Sequence, residues 1–397
     1  MLTDSQGLYF LNDFVEGVEA VKEFQPATQK QKLLYNALDN KEVELIGVFG
    51  PSGTGKSFVV LLYGLKALKE GKFSRLVVAR PLVSLLQSRI YNSVELGNLY
   101  FELASSYLMD IASGYVEEGT IKEYTASGKL VFIDPSFLTG RTFDDSLVFL
   151  DDIQFLEPSI LPEVIIRVGS NSKLVVAGDP VLQVLAGNQT NTAVIARELL
   201  LGEEKALVVD MGMEDIVRPG SKRGFKLALE TRLRRRPLTE DEQRVKSVIL
   251  THAPDAEIVS VVWLKDLKEK YGAKNAPDVL VVSKERALSR LIGKKGERIN
   301  KAQEEAGVQI RAIELTSDLS EVVKAIHPVG WIRKHIVKAE LVGAELEVHV
   351  NADEYGAFVG KGGSYIRFLD EAMRRMLGIG VRGRHAETPK VEEKRRK

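Results

Sequence analysis

The chain has 397 residues, 44% of them apolar, with 55 basic and 55 acidic side chains and no cysteine. That length accommodates two or three domains with a sizeable core. The lack of cysteine excludes a disulfide framework, thiolate zinc sites and a cysteine nucleophile. Zero net charge argues against a uniformly basic nucleic-acid binder, but the balance is uneven. Residues 276–397 hold 23 Lys and Arg against 18 Asp and Glu, and the residues before them hold 32 against 37, so a polyanion would dock on the C-terminal third.

The N-terminus carries Asp4, Asp13 and Glu16 where a leader would be basic and then apolar. No run approaches the ~18 apolar residues of a membrane span. A soluble cytoplasmic protein without a membrane partner is expected. His252, His327, His335, His349 and His385 have no metal-ligand spacing.

Residues 43–49 read as a buried strand and 56–68 as a helix. Between them Gly50-Pro51-Ser52-Gly53-Thr54-Gly55-Lys56-Ser57 completes the pattern G-x-x-x-x-G-K-S. The glycines let backbone N–H groups turn inward around phosphate oxygens. Lys56 supplies a charge to the β- and γ-phosphates, and Ser57 a hydroxyl ligand to magnesium. ATP and Mg are therefore the expected cofactors. Further β-rich runs at 76–79, 130–133, 147–150, 174–177 and 206–209 alternate with helical patterns, which predicts an α/β domain with a mostly parallel sheet. The run at 147–150 ends in Asp151 and Asp152. Asp151 is placed to hold magnesium and Asp152 to orient an attacking water. Asp179, after the run at 174–177, is a candidate sensor of the γ-phosphate.

A basic stretch ending in Arg232, Arg234, Arg235 and Arg236 before Pro237 closes the first domain, at 1–238. Residues 239–276 read as a connector or accessory segment. Two small α+β units follow, at 277–325 and 326–386, and then a charged tail at 387–397. In the first unit, strand 279–282 and helix 284–292 lead to the loop Gly293-Lys294-Lys295-Gly296, helix 297–306 and strand 308–313. In the second, strand 345–350 and helix 353–359 lead to Gly360-Lys361-Gly362-Gly363 and helix 364–376. Glycines at both ends of such a loop admit a close nucleic-acid backbone, lysines neutralise its phosphates, and Ile292, Ile299, Val359 and Ile366 line a groove for bases.

Five separated motifs in order, over residues 24–236, resemble the PhoH family of P-loop ATPases, relatives of superfamily-1 helicases. They are Pro26-Ala27-Thr28-Gln29-Lys30-Gln31, the P-loop, Arg80-Pro81, the run from Gly140-Arg141-Thr142 to Asp151-Asp152-Ile153-Gln154, and Asp215-Ile216-Val217-Arg218. The resemblance implies that Gln31 reads the adenine edge and that Arg141 and Arg218 contact phosphate, Arg218 as an arginine finger. With one motor domain in the chain, Arg218 acts within its own subunit or across an interface, and the second case implies a homo-oligomeric ring. Asp152 stands where the family has glutamate. The shorter side chain draws the carboxylate back by more than about 1 Å, a misplacement that costs roughly a hundredfold in rate. Gly178-Asp179-Pro180-Val181-Leu182-Gln183 carries one residue more than the family's G-D-x-x-Q box.

The two G-x-x-G units resemble KH domains, and together the tandem KH modules of NusA-like factors. That resemblance implies single-stranded RNA as partner and an RNA-directed ATPase as the function. The alternative is an ATP-switched RNA-binding protein with little or no hydrolysis.

Overall fold

Strands buried on both faces of a sheet need apolar side chains at every position rather than at alternate ones, and the runs at 45–49, 146–150 and 173–178 are buried throughout. The computed structural model describes residues 21–84, 86–183 and 191–386. Asp4, Asp13, Glu16 and the charged tail at 387–397 lie outside them. The chain divides into two units: Met1–Val48, Gly55–Gly178 and Leu185–Val209 form the first, and Phe49–Thr54, Asp179–Val184 and Asp210–Lys397 the second. The boundary runs through the P-loop.

The first unit is α/β. In chain order its elements are α1 (Gln29–Asp39), β1 (Leu45–Phe49), α2 (Lys56–Lys69), β2 (Arg75–Ala79), β3 (Leu82–Ser84), β4 (Arg89–Tyr91), α3 (Ser93–Leu96), α4 (Asn98–Ala112), α5 (Glu118–Ala126), β5 (Leu130–Ile133), β6 (Ser146–Leu150), α6 (Ile160–Ile165), β7 (Lys173–Gly178), α7 (Thr192–Leu201) and β8 (Ala206–Asp210). The six long strands form one parallel sheet in the order β5-β2-β6-β7-β1-β8. One strand, β7, thus separates the strand leading into the P-loop from the strand ending in Asp151. β3 and β4 make a separate antiparallel hairpin. Three-residue strands are too short to show a period, and this hairpin is not legible in the sequence. Among the described residues no helix is long and apolar enough to cross a membrane.

After α8 (Pro219–Arg235) the second unit contains one pattern twice. The first copy is α9 (Glu240–His252), β9 (Ile258–Trp263), α10 (Lys265–Lys270), β10 (Val279–Ser283), α11 (Leu288–Ile292), α12 (Glu297–Ala306) and β11 (Ile310–Glu314). The second is α13 (Leu319–Ile326), β12 (Ile336–Val342), β13 (Glu345–Val350), α14 (Tyr355–Val359), α15 (Ser364–Leu377) and β14 (Gly380–His385). In each, the first two strands pair antiparallel and the second and third parallel. The additional helix α10 distinguishes the first copy.

Residues 239–276, expected as a connector or accessory segment, hold a helix, a strand and a short helix. Thr239 and Glu242 close a capping box that starts α9. β9 pairs along β10, and Val245, Ile249 and Val261 share a core with Val279, Leu291 and Ile299. Pro254, Gly272 and Pro277 punctuate this stretch like a loop, which hides a six-residue strand. Likewise α13 packs on both β11 and β12, opening the second repeat rather than trailing the first.

The second repeat buries Phe358 and the α15 face Phe368, Leu369, Ala372, Met373, Met376 and Leu377. This face recurs at helical spacing. Phe358 is fully buried, so Phe358→Ala is expected to lower stability by about 3–5 kcal/mol in a urea titration. A loss under ~1 kcal/mol would mean that the core closes over the gap.

Candidate functional site

Lys56 begins α2 directly after Gly55, whose φ of 88° is left-handed. A Cβ there would come within 2.7 Å of Gln31 Nε2, so glycine is required both by backbone and by space. Thr54 is buried, and its hydroxyl donates to the Pro51 carbonyl at 3.0 Å, closing the loop. Gln31 is also buried, with its amide oxygen accepting the Ala27 N–H at 2.9 Å. In this structure its amide braces the loop and the turn before α1.

At the end of β6, Asp151 is 1% exposed. The Ser57 hydroxyl donates to its Oδ2 at 2.7 Å, the Tyr107 hydroxyl donates to the same oxygen, and the Asp152 N–H donates to Oδ1 at 2.9 Å. Burial, followed by the charge of Asp152, pushes the Asp151 carboxyl above the usual carboxylate range. A hydroxyl and a carboxylate converging in a buried place offer the hard oxygen donors that Mg²⁺ takes. Phosphates and waters would complete its shell, so Ser57 and Asp151 fit the ion.

Asp152 lies in the left-handed region, at φ 52° and ψ 40°. Its Oδ2 accepts from Arg80 Nε at 2.8 Å and Nη2 at 2.6 Å, and Oδ1 accepts from Gln154 Nε2 at 3.0 Å. The Arg80 guanidinium stacks 3.8 Å from the Tyr107 ring centroid, and the Tyr100 hydroxyl donates to the Arg80 carbonyl at 2.7 Å. Burial raises the Tyr107 hydroxyl well above its ordinary pKa, which keeps it a donor. Tyr100 and Tyr107, seven residues apart on α4, were not legible as site residues. Their spacing puts them on one face with Ala104 and Leu108, a core signal that says nothing of a carboxylate from another element.

Within the second unit, Asp179 is 1% exposed and turned to main chain. Oδ2 accepts the Ser52 N–H at 3.2 Å, and Oδ1 accepts from Val181 and Leu182 N–H at 2.9 and 2.8 Å. It braces the first turn of the P-loop. Arg232 donates to the Val181 carbonyl at 2.6 Å, and its guanidinium lies against Gly378, after α15. Gly50 sits so close to Met211 that a Cβ would meet its carbonyl at 2.5 Å. That carbonyl accepts from Gly343 N–H, in the β12–β13 turn, at 3.0 Å. Arg218 is the N-cap of α8 and exposed. Arg141 is exposed two residues before Phe143, whose N–H and carbonyl pair with Arg167 and Gly169 in the loop that leads from α6 to β7. The loop that carries Arg141 precedes β6, and Asp151 follows the strand's other end.

The two G-x-x-G loops have one geometry. Gly293 and Gly360 have φ 76° and 75°, Lys295 and Gly362 φ 55° and 58°, Gly296 and Gly363 φ 82° and 78°. Lys294, Lys295, Lys361 and Gly362 are all exposed at the tips.

A glycine-rich loop between a buried strand and a helix, with its serine bonded to a buried aspartate ending a parallel strand two places away, defines a P-loop nucleotide-binding protein. The chain belongs to the PhoH-like protein family, whose model matches residues 23–230. Similar relatives are a PhoH-like protein of Bacillus subtilis (27% identical over 187 residues, 45% of this chain and 56% of the relative) and one of Synechocystis (26% over 197 residues, 48% and 57%). The protein PhoH2 of Mycolicibacterium smegmatis is 27% identical over 172 residues, 42% of this chain and 38% of its own. The matched stretch spans about half the length of the first two relatives. Among solved structures, the large terminase of a thermophilic bacteriophage aligns over 51% of this chain and 50% of its own at 12% identity and a TM-score of 0.32, which adds nothing to the family assignment.

Proposed function

We propose that this protein is an RNA-directed ATPase: two KH-like repeats grip single-stranded RNA, and ATP binding and hydrolysis at the P-loop drive remodelling of that RNA or of a ribonucleoprotein. The observation that carries the reading is the repeated G-x-x-G hairpin, with left-handed glycines at matched positions, in a chain that also holds the P-loop. Lys295 supports it further. A left-handed lysine costs about 1–2 kcal/mol where the second loop uses glycine, and such strain collects at functional sites. Coupling is supported by the contacts inside the second unit. The first turn of the P-loop reaches the second repeat through Met211 to Gly343, and through Asp179 and Val181 to Arg232 and Gly378. In this reading Lys56 binds the phosphates, Ser57 and Asp151 hold Mg²⁺, Asp152 orients water and Arg218 serves as an arginine finger, across a subunit interface if the chain forms a ring. The test is ATP hydrolysis by the full chain with and without single-stranded RNA. Stimulation by RNA is expected, and brisk hydrolysis indifferent to every RNA tried would sink the coupling.

One observation favours the second reading, an ATP-switched RNA clamp. Both oxygens of Asp152 are engaged, by Arg80 and Gln154, which take three of a carboxylate's roughly four acceptor sites and leave little with which to orient water. Asp152→Asn separates the two. As a general base it should slow single-turnover hydrolysis roughly 10²- to 10⁴-fold with nucleotide affinity unchanged. Equal rates in the parent and the variant would favour the switch.

A further inference from the structure

The stretch between α13 and β12 plays no part in the two G-x-x-G loops, yet it concentrates the features of a nucleic-acid contact. It turns once as a 3₁₀ helix, Gly330–Lys334. Trp331, one of two tryptophans in the chain, is 52% exposed on it. Residues three apart eclipse in a 3₁₀ helix, so exposed Lys334 shares the face of Trp331. Arg333 lies near enough to Arg311 of β11 for its charge to be felt there. Burial and the charge of Arg333 lower the pKa of Arg311, and the Arg333 Nε is buried without a hydrogen-bond partner.

Arg290, Arg298, Arg374, Arg375, Arg382 and Arg384 each meet a carboxylate. Among the described residues no ion pair involves Arg311, Arg333 or Lys334. Two neighbouring arginines and a lysine, with an exposed indole on the same turn, ask for an anion bonded to something flat.

We propose that this junction between the repeats is a third contact for single-stranded RNA, with Trp331 stacking one base and Lys334, Arg311 and Arg333 holding the phosphates beside it. The proposal rests on the RNA-binding reading above and extends it to residues outside the loops.

Trp263→Phe leaves Trp331 as the only tryptophan of the full-length protein. Titration with a uridine 12-mer should then quench Trp331 fluorescence, with the same midpoint as the anisotropy of the labelled oligonucleotide. Trp331→Ala should weaken binding about 5- to 150-fold, the range of one lost base stack, and Trp331→Phe should restore most of it. The double variant Arg311→Gln, Arg333→Gln should flatten the log–log salt dependence by about 1.4. Binding by anisotropy with unchanged Trp331 fluorescence and an unchanged salt slope would overturn the inference while leaving the RNA reading intact, and would leave the patch to a protein partner. No binding of the 12-mer to the parent protein, with or without ATP, would overturn the RNA reading itself.

Discussion

Lys56→Ala should reduce ATP hydrolysis by roughly 100- to 1,000-fold, the cost of removing one preorganised charge-stabilising group, and weaken nucleotide binding as well. The side chain is 9% exposed at the first position of α2, where the backbone N–H groups and the helix dipole already favour an anion. Its charge is the part that a neutral substitution removes. Ser57→Ala should act differently. The Asp151 carboxylate loses a 2.7 Å hydrogen bond and Mg²⁺ its hydroxyl ligand, so the defect should shrink as Mg²⁺ is raised, whereas that of Lys56→Ala should not. Hydrolysis rates over a magnesium series measure both. Near-parental turnover by Lys56→Ala would mean that the activity comes from elsewhere.

Substituting both loops, Lys294→Asp with Lys295→Asp and Lys361→Asp with Gly362→Asp, should abolish tight RNA binding. Three lost phosphate contacts, at about 0.7 each for a single strand, flatten the salt dependence by about 2, and the four new carboxylates repel the backbone. Lys295 and Gly362 occupy the same left-handed position, and aspartate tolerates that region better than most residues, so the loops should keep their shape. Hydrolysis without RNA should continue while RNA stimulation disappears. Anisotropy and hydrolysis on the same preparations distinguish this from misfolding, which would remove both. Unchanged RNA affinity would place the RNA on another surface.

What the sequence alone determined here are features written within a few residues. The P-loop is one, because glycine spacing dictates backbone dihedrals locally. The central strands of the sheet are another, because burial on both faces leaves an unbroken apolar run. The partnership of Ser57 with Asp151 spans 94 positions and was still legible, since a carboxylate at the end of an apolar strand has a known place beside such a loop. The G-x-x-G hairpins were readable for the same local reason.

Tertiary structure decided the rest. Only packing across the sheet brings Tyr107 from α4 to Asp151 and Arg80 to Asp152, and only the pairing of β9 with β10 makes residues 239–276 part of the first repeat. Only the fold turns Asp179 toward the Ser52 N–H. Each of these depends on which elements become neighbours. That is settled by burying the largest apolar area with all polar groups satisfied, a property of the whole chain that no window of fifteen residues contains.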